Sequence, residues 1–140
     1  MKGVYILKIV LKKDCKIIIG SIGAIKINKG DYAYVGSAQN SLEKRIERHL
    51  KKRKKKFWHV DYLLSKRFAK IDDIFYKNAG KNEECKIARD LIKIANPIYR
   101  FGSSDCSCKS HLFFINDIEK FKEVLKKYGM KRIDKRYFIS

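Results

Sequence analysis

A chain of 140 residues has the length of one domain and can bury most of its apolar surface in a single core, so one domain over residues 1–140 is expected. A hydrophobic share of 45% with eight Phe and eight Tyr excludes a disordered polyelectrolyte, and no apolar run approaches the roughly 20 residues that span a bilayer. The 34 Lys and Arg against 15 Asp and Glu leave a net charge of +19, a self-repulsion that a polyanionic partner relieves.

The first third of the chain reads as β-structure. Val4 to Lys12 (VYILKIVLK), Lys16 to Gly20 (KIIIG) and Ala24 to Gly30 (AIKINKG) are β-branched runs punctuated by glycines, an antiparallel meander in the simplest reading. Tyr32 to Gly36 (YAYVG) adds another strand. A helix follows, with Asn40 as its expected N-cap and Glu43 as the capping-box partner. Leu42, Ile46 and Leu50 take core spacing, and Arg45 and His49 fall on the edge of that face.

The run KKRKKK from Lys51 to Lys56 leads into FWHVDYLLSKRFA, expected as a second helix, and Ile71 to Lys77 as a strand. Glu83 to Ala95 is expected as a third helix, with Ala88, Leu91, Ile92 and Ala95 inward and Pro97 just beyond its end. Arg100 to Ser110 reads as a loop and HLFFI as a strand. A last helix from Asn116, with Glu119 as box partner and Ile118, Phe121 and Leu125 inward, stops at Gly129.

Gly3-Val4-Tyr5, Tyr34-Val35-Gly36, and Arg45 with His49 on the following helix form an ordered set that resembles the signature of the GIY-YIG nuclease superfamily. The stretches YAYVGSA, RIERHL, FWHVDYLL, EECKIA and FGSSDCSCKSHLFF resemble a small branch of it, sometimes found fused to an endonuclease III-type repair enzyme. The resemblance implies an α+β fold, a small mixed or antiparallel sheet flanked by helices, that cuts phosphodiester bonds with one Mg²⁺ or Mn²⁺. It implies that the two strand tyrosines stand side by side and that Tyr5 activates or positions the attacking water. Arg45 would bind the scissile phosphate and Glu84 the metal, with Tyr34, His49 and His59 in support. The connection from Tyr5 to Tyr34 is longer than in typical members, so an inserted hairpin is expected within Cys15 to Lys29.

These residue types suit the reaction on chemical grounds as well. Negative charge builds on the non-bridging oxygens as a phosphodiester is attacked, and an arginine fork beside the phosphate stabilises it. One hard cation keeps several waters and can be held by a single carboxylate. Glu83 and Asp90 are the other carboxylates in reach of that role. Tyrosine, with an ordinary pKa of about 10, needs a cationic neighbour before it can act as a base.

The more ordinary readings stand beside these. Strand tyrosines commonly pack across a sheet, first-turn glutamates complement a helix dipole, and a lysine run can be a solvated surface. Lys51, Lys52, Arg53, Lys54, Lys55 and Lys56 with Arg48 and Trp58 are nevertheless expected to form a phosphate-tracking patch with a stacking aromatic. Nucleic acid is thus the expected partner, DNA ahead of RNA, with a repair enzyme as a second partner and a membrane as none.

Cys15, Cys85, Cys106 and Cys108 are too few for a disulfide scaffold, so reduced thiols and a cytoplasmic setting are expected. Asp105, Cys106, Cys108 and His111 offer too few zinc ligands unless Cys15 or Cys85 comes close, so buried thiols are expected there in place of zinc. A metal-dependent endonuclease is the leading function; a nucleic-acid-binding module without catalysis, and a basic adaptor for a repair enzyme, are the alternatives.

Overall fold

The computed structural model describes residues 1–20, 22–102 and 108–138. Among the described residues eight strands are present: β1 (Gly3–Leu11), β2 (Cys15–Ile19), β3 (Gly23–Ile27), β4 (Gly30–Ala38), β5 (Ala69–Lys77), β6 (Asn96–Pro97), β7 (Leu112–Phe114) and β8 (Lys131–Ile133). Among the described residues four α-helices accompany them, α1 (Leu42–Leu50), α2 (His59–Leu64), α3 (Asn82–Leu91) and α4 (Ile118–Lys127), with a short 3-10 helix at Lys135–Phe138. Six strands form one sheet in the order β6-β7-β4-β1-β5-β8, every pair antiparallel. The mixed α+β architecture expected from the sequence is therefore present.

The inserted hairpin is present too, but the meander is not. β2 and β3 pair only with each other, and β1 passes over them to pair with β4 through the full register from Gly3↔Ala38 to Leu11↔Gly30. The reason lies in which faces need cover. β1 is buried on both sides, so its alternating residues feed two cores. Tyr5, Leu7, Ile9 and Leu11 join Tyr34 on β4, Leu42 and Ile46 on α1, Leu63 on α2 and Ile17 and Ile27 of the hairpin. Val4 and Ile6 join Ala33, Val35, Ile87, Leu91 and Phe121 under α3 and α4. The hairpin serves as a cover over one face and not as a member of the main sheet.

Helix ends depart from the expectations in ways that local chemistry explains. Ser41, not Asn40, caps α1: its Oγ accepts from Lys44 N at 3.2 Å, so the third helical position is Lys44 and Glu43 completes no box. α2 ends at Leu64, well short of Ala69, because Lys52 Nζ caps the carbonyls of Leu64 (2.9 Å) and Lys66 (2.8 Å) and also bonds that of Ala69. α3 stops at Leu91, four residues before Ala95, and the chain leaves it for β6. Asp117, not Asn116, caps α4 through Glu119 N and Lys120 N, both at 3.1 Å. Ile118 of α4 lies outward, with Val124 buried beside Phe121 and Leu125. Gly129 takes φ +64° and ends the helix as expected. The two-residue β6 and the closing strand β8 carry too little pattern to be foreseen.

Candidate functional site

Tyr5 and Tyr34 sit on neighbouring strands in a register that pairs Tyr5 with Gly36 and Tyr34 with Leu7. One same-face step thus separates them, and their ring centroids are 6.5 Å apart. Gly36 makes this possible. A Cβ at that position would stand 2.3 Å from Tyr5 Cζ and 2.4 Å from its hydroxyl, so the ring lies directly across bare backbone.

α1 brings two more residues to the tyrosines. His49, 2% exposed, places Nε2 2.7 Å from the Tyr5 hydroxyl, and its ring lies 5.5 Å from that of Tyr5 and 6.1 Å from that of Tyr34. Arg45, one helical turn earlier, donates from Nη1 to the Ser37 carbonyl at 3.0 Å. Its guanidinium lies 4.1 Å from the centre of the Trp58 ring, and that of Arg48 lies 4.5 Å from it.

Tyr5, Tyr34, Arg45, His59 and Glu84 all line one cleft of about 440 Å³, together with Gly36, Ser37, Phe57, Trp58, Lys81 and Gly102. His49 stands behind Tyr5, outside that wall. His59 Nδ1 accepts from Gly102 N at 2.8 Å. Glu84, 7% exposed, has Oε2 3.4 Å from His111 Nδ1. The other carboxylates on α3 point elsewhere: Glu83 pairs with Lys77 and Lys86, and Asp90 with Lys127 and the Tyr128 hydroxyl. Of the α3 acids, Glu84 is the one that reaches the cleft.

The electrostatics of these groups follow from burial. Burial raises both Tyr5 and Tyr34 well above the ordinary phenol, and the nearby charge of Arg45 only partly opposes this. Burial pushes His49 down to about 3, and Lys54 and Arg45 add to the shift, so its imidazole is neutral at neutral pH. Its Nδ1 is buried with no hydrogen-bond partner among the described residues. Burial likewise lowers His59.

The basic patch is only partly the one expected. Lys52 is anchored to backbone carbonyls, and Lys54, its side chain 7% exposed, donates to Arg48 O (3.0 Å) and His49 O (2.9 Å). Burial pushes Lys54 down to about 8. Arg48 grips the buried Asp61 through two parallel bonds of 3.1 and 3.0 Å and also donates to Lys55 O. Trp58 is packed against His49 and the two arginines, so it is a wall and not an open platform; Phe57 beside it is 76% exposed. Lys51, Arg53, Lys55 and Lys56 remain outward.

Asp61 organises this corner and was not foreseen as a site residue. Its carboxylate accepts from Phe57 N (2.8 Å) and Trp58 N (2.9 Å) besides Arg48. Burial opposes its ionisation, but those bonds prevail and hold it below the ordinary carboxylate range. The W-x-x-D spacing at the start of α2 was the available signal. Gly102 and Lys81 come from loops distant in sequence and gave none.

Asp105 and Cys106 lie outside the described residues. Cys108 and His111 come together with Cys85 of α3, their ligand atoms all within 4.8 Å of one another. No helix among the described residues is long and apolar enough to cross a membrane.

Residues 4–133 match the model of the family described as "Domain of unknown function DUF123". No curated protein matches the chain, and no solved structure does.

Proposed function

The chain belongs to the DUF123 family, and we propose that it is a metal-dependent endonuclease of the GIY-YIG type acting on DNA in repair or recombination, in the cytoplasm. The observation that carries this reading is the convergence of Tyr5, Tyr34, Arg45, His59 and Glu84, from five separate elements, on one cleft in a chain of net charge +19.

The residues fit one hard cation. Glu84 offers the cleft a carboxylate that is ion-paired to neither lysine nor arginine among the described residues, which suits a cation that keeps most of its waters. Bound there, Mg²⁺ or Mn²⁺ would supply Lewis-acid stabilisation of the phosphate. Arg45 supplies fixed positive charge on the other side, aimed by Ser37 O and by the Trp58 ring. Tyr5 works by position. With its own acidity weakened by burial and with a weakly basic His49 behind it, its hydroxyl orients the attacking water and does not carry a proton away. His49 fixes the direction of that hydroxyl.

The test compares the parent with Glu84→Gln and Arg45→Ala. Cleavage is screened with Mg²⁺ and Mn²⁺ on nicked, flap, branched and single-stranded DNA, and binding is measured in metal-free buffer. Glu84→Gln is expected to lose cleavage and keep binding, whereas Arg45→Ala loses affinity and about 3 kcal/mol of transition-state stabilisation as well. Salt-sensitive binding by a parent that cleaves none of these substrates would replace this reading with the non-catalytic module.

A further inference from the structure

Cys85, Cys108 and His111 reach one point from two segments far apart in sequence: Cys85 from the first half of α3, and the other two from the approach to β7. We infer that they hold a thiolate-binding divalent metal ion of the zinc class, separate from the hard cation proposed for the cleft. Such an ion binds whether or not the cleft cuts DNA.

The spacing of the donors suits a single ion. Donors on one zinc ion, with Zn–S about 2.3 Å and Zn–N about 2.1 Å, lie roughly 3.5–3.8 Å from each other in a tetrahedron. The three donor atoms are already within 4.8 Å of one another, no more than about 1 Å beyond that spacing.

Chemistry selects the ion. Two thiolates and an imidazole suit zinc and reject Mg²⁺, which takes oxygen. Two thiolates also cancel the charge of the ion, so binding adds nothing to the +19 of the chain. The surroundings fit as well. His111 is 2% exposed with the Glu84 carboxylate 3.4 Å from Nδ1. A carboxylate beside the ring is the kind of outer partner commonly found behind a metal-bound histidine. Cys85 and Cys108 are half-buried, and Cys108 also lines a cavity of about 260 Å³ with Arg89 and Lys109, which gives an ion a way in.

Such an ion would tie α3 to the segment before β7. It would thereby hold Glu84, the neighbour of Cys85, in fixed relation to the cleft.

The full chain is produced with zinc present, purified under reducing conditions without chelator, and assayed with neither nucleic acid nor Mg²⁺. Elemental analysis is expected to give one zinc per chain. After removal of the zinc by dialysis against a chelator, titration with Co²⁺ is expected to produce the ultraviolet charge-transfer band of a cobalt–thiolate bond and to restore the melting temperature. Cys85→Ser and Cys108→Ser should each weaken Co²⁺ binding by more than the roughly 10–100-fold that loss of an outer partner costs. Glu84→Gln should weaken it by about that lesser amount. A parent that carries no zinc and gives no band overturns the inference, as does full binding by the Cys85→Ser, Cys108→Ser double variant. If one serine variant fails to fold, the dialysis experiment on the parent still decides. Because the readout is the ion and not cleavage, an inactive protein with one zinc leaves this inference standing, and an active one without zinc removes it alone.

Discussion

Tyr5 is expected to contribute one atom to catalysis and a whole ring to packing, and substitution can separate the two. Tyr5→Phe keeps the ring across Gly36 and deletes the hydroxyl facing His49. Stability should fall by about 1–3 kcal/mol because the buried His49 Nε2 loses its partner, while DNA affinity barely moves and turnover falls on the order of a hundredfold, measured by single-turnover cleavage; an equal fall in affinity would show that the phenol grips the ground state instead. Gly36→Ala is the reverse experiment. Its methyl group would meet Tyr5 at 2.3 Å, so the ring must leave its place at a cost of about 1–3 kcal/mol, read as a lower melting temperature with cleavage lost. At this scale the sequence was informative where residue type and order both carried meaning: Tyr5, Tyr34, Arg45, His59 and Glu84 all reach the cleft. It did not reveal the weight of Asp61: the W-x-x-D spacing marks the start of a helix, and the burial against Arg48 that makes Asp61 important is a quantity that no single position in the chain advertises.

At the level of elements, the corner between α1 and α2 is held by charge and not by apolar contact alone. Asp61→Ala breaks both Arg48 bonds and frees two backbone N–H groups. A loss of about 3 kcal/mol is expected by urea denaturation, at the low end for a broken buried pair because the Arg48 side chain keeps 28% exposure. The same corner gives the fold an acid sensitivity. His49 titrates near 3 when folded and near 6.5 when unfolded, so below pH 6.5 the unfolded chain binds the extra proton. The stability His49 confers is therefore complete above pH 6.5 and drains away towards pH 3 at up to about 1.4 kcal/mol per unit. Asp61, held below its ordinary value, adds a second loss that begins as the pH falls through the ordinary carboxylate range and continues beneath it. His49→Phe should flatten a stability profile taken from pH 7 to 4 and leave in place the further loss that Asp61 brings below about pH 4. Strand and helix existence was legible here because periodicity reports which side of an element is buried. Helix ends were not: α2 is cut short by Lys52, and that ammonium arrives from the run before the helix.

For the molecule as a whole, the charge excess divides into two kinds of lysine. Lys52 and Lys54 satisfy backbone carbonyls, while Lys51, Arg53, Lys55 and Lys56 face solvent. Neutralising the outward four should shrink the slope of log K against log [salt] by about 0.9 for each duplex phosphate that is no longer neutralised, with folding unchanged. Lys52→Met or Lys54→Met should lower the melting temperature instead; an unchanged melt with a reduced slope would return both to the binding surface. The composition raises the expectation of a polyanionic partner but cannot make this division, because a lysine run looks the same whether its ammonium groups point outward or in.

The hairpin β2–β3 bears on how such chains can be compared. It pairs with itself alone and leaves the β1–β4 ladder unbroken, so Tyr5 and Tyr34 keep their one-step offset however much chain is looped out between them. The distance along the chain from one tyrosine to the next is then free to drift, and a search that fixes that interval would pass over a protein like this one. The ruler that holds the pair together is the strand register, and its visible mark in the sequence is a residue with no side chain, Gly36, set opposite the first tyrosine.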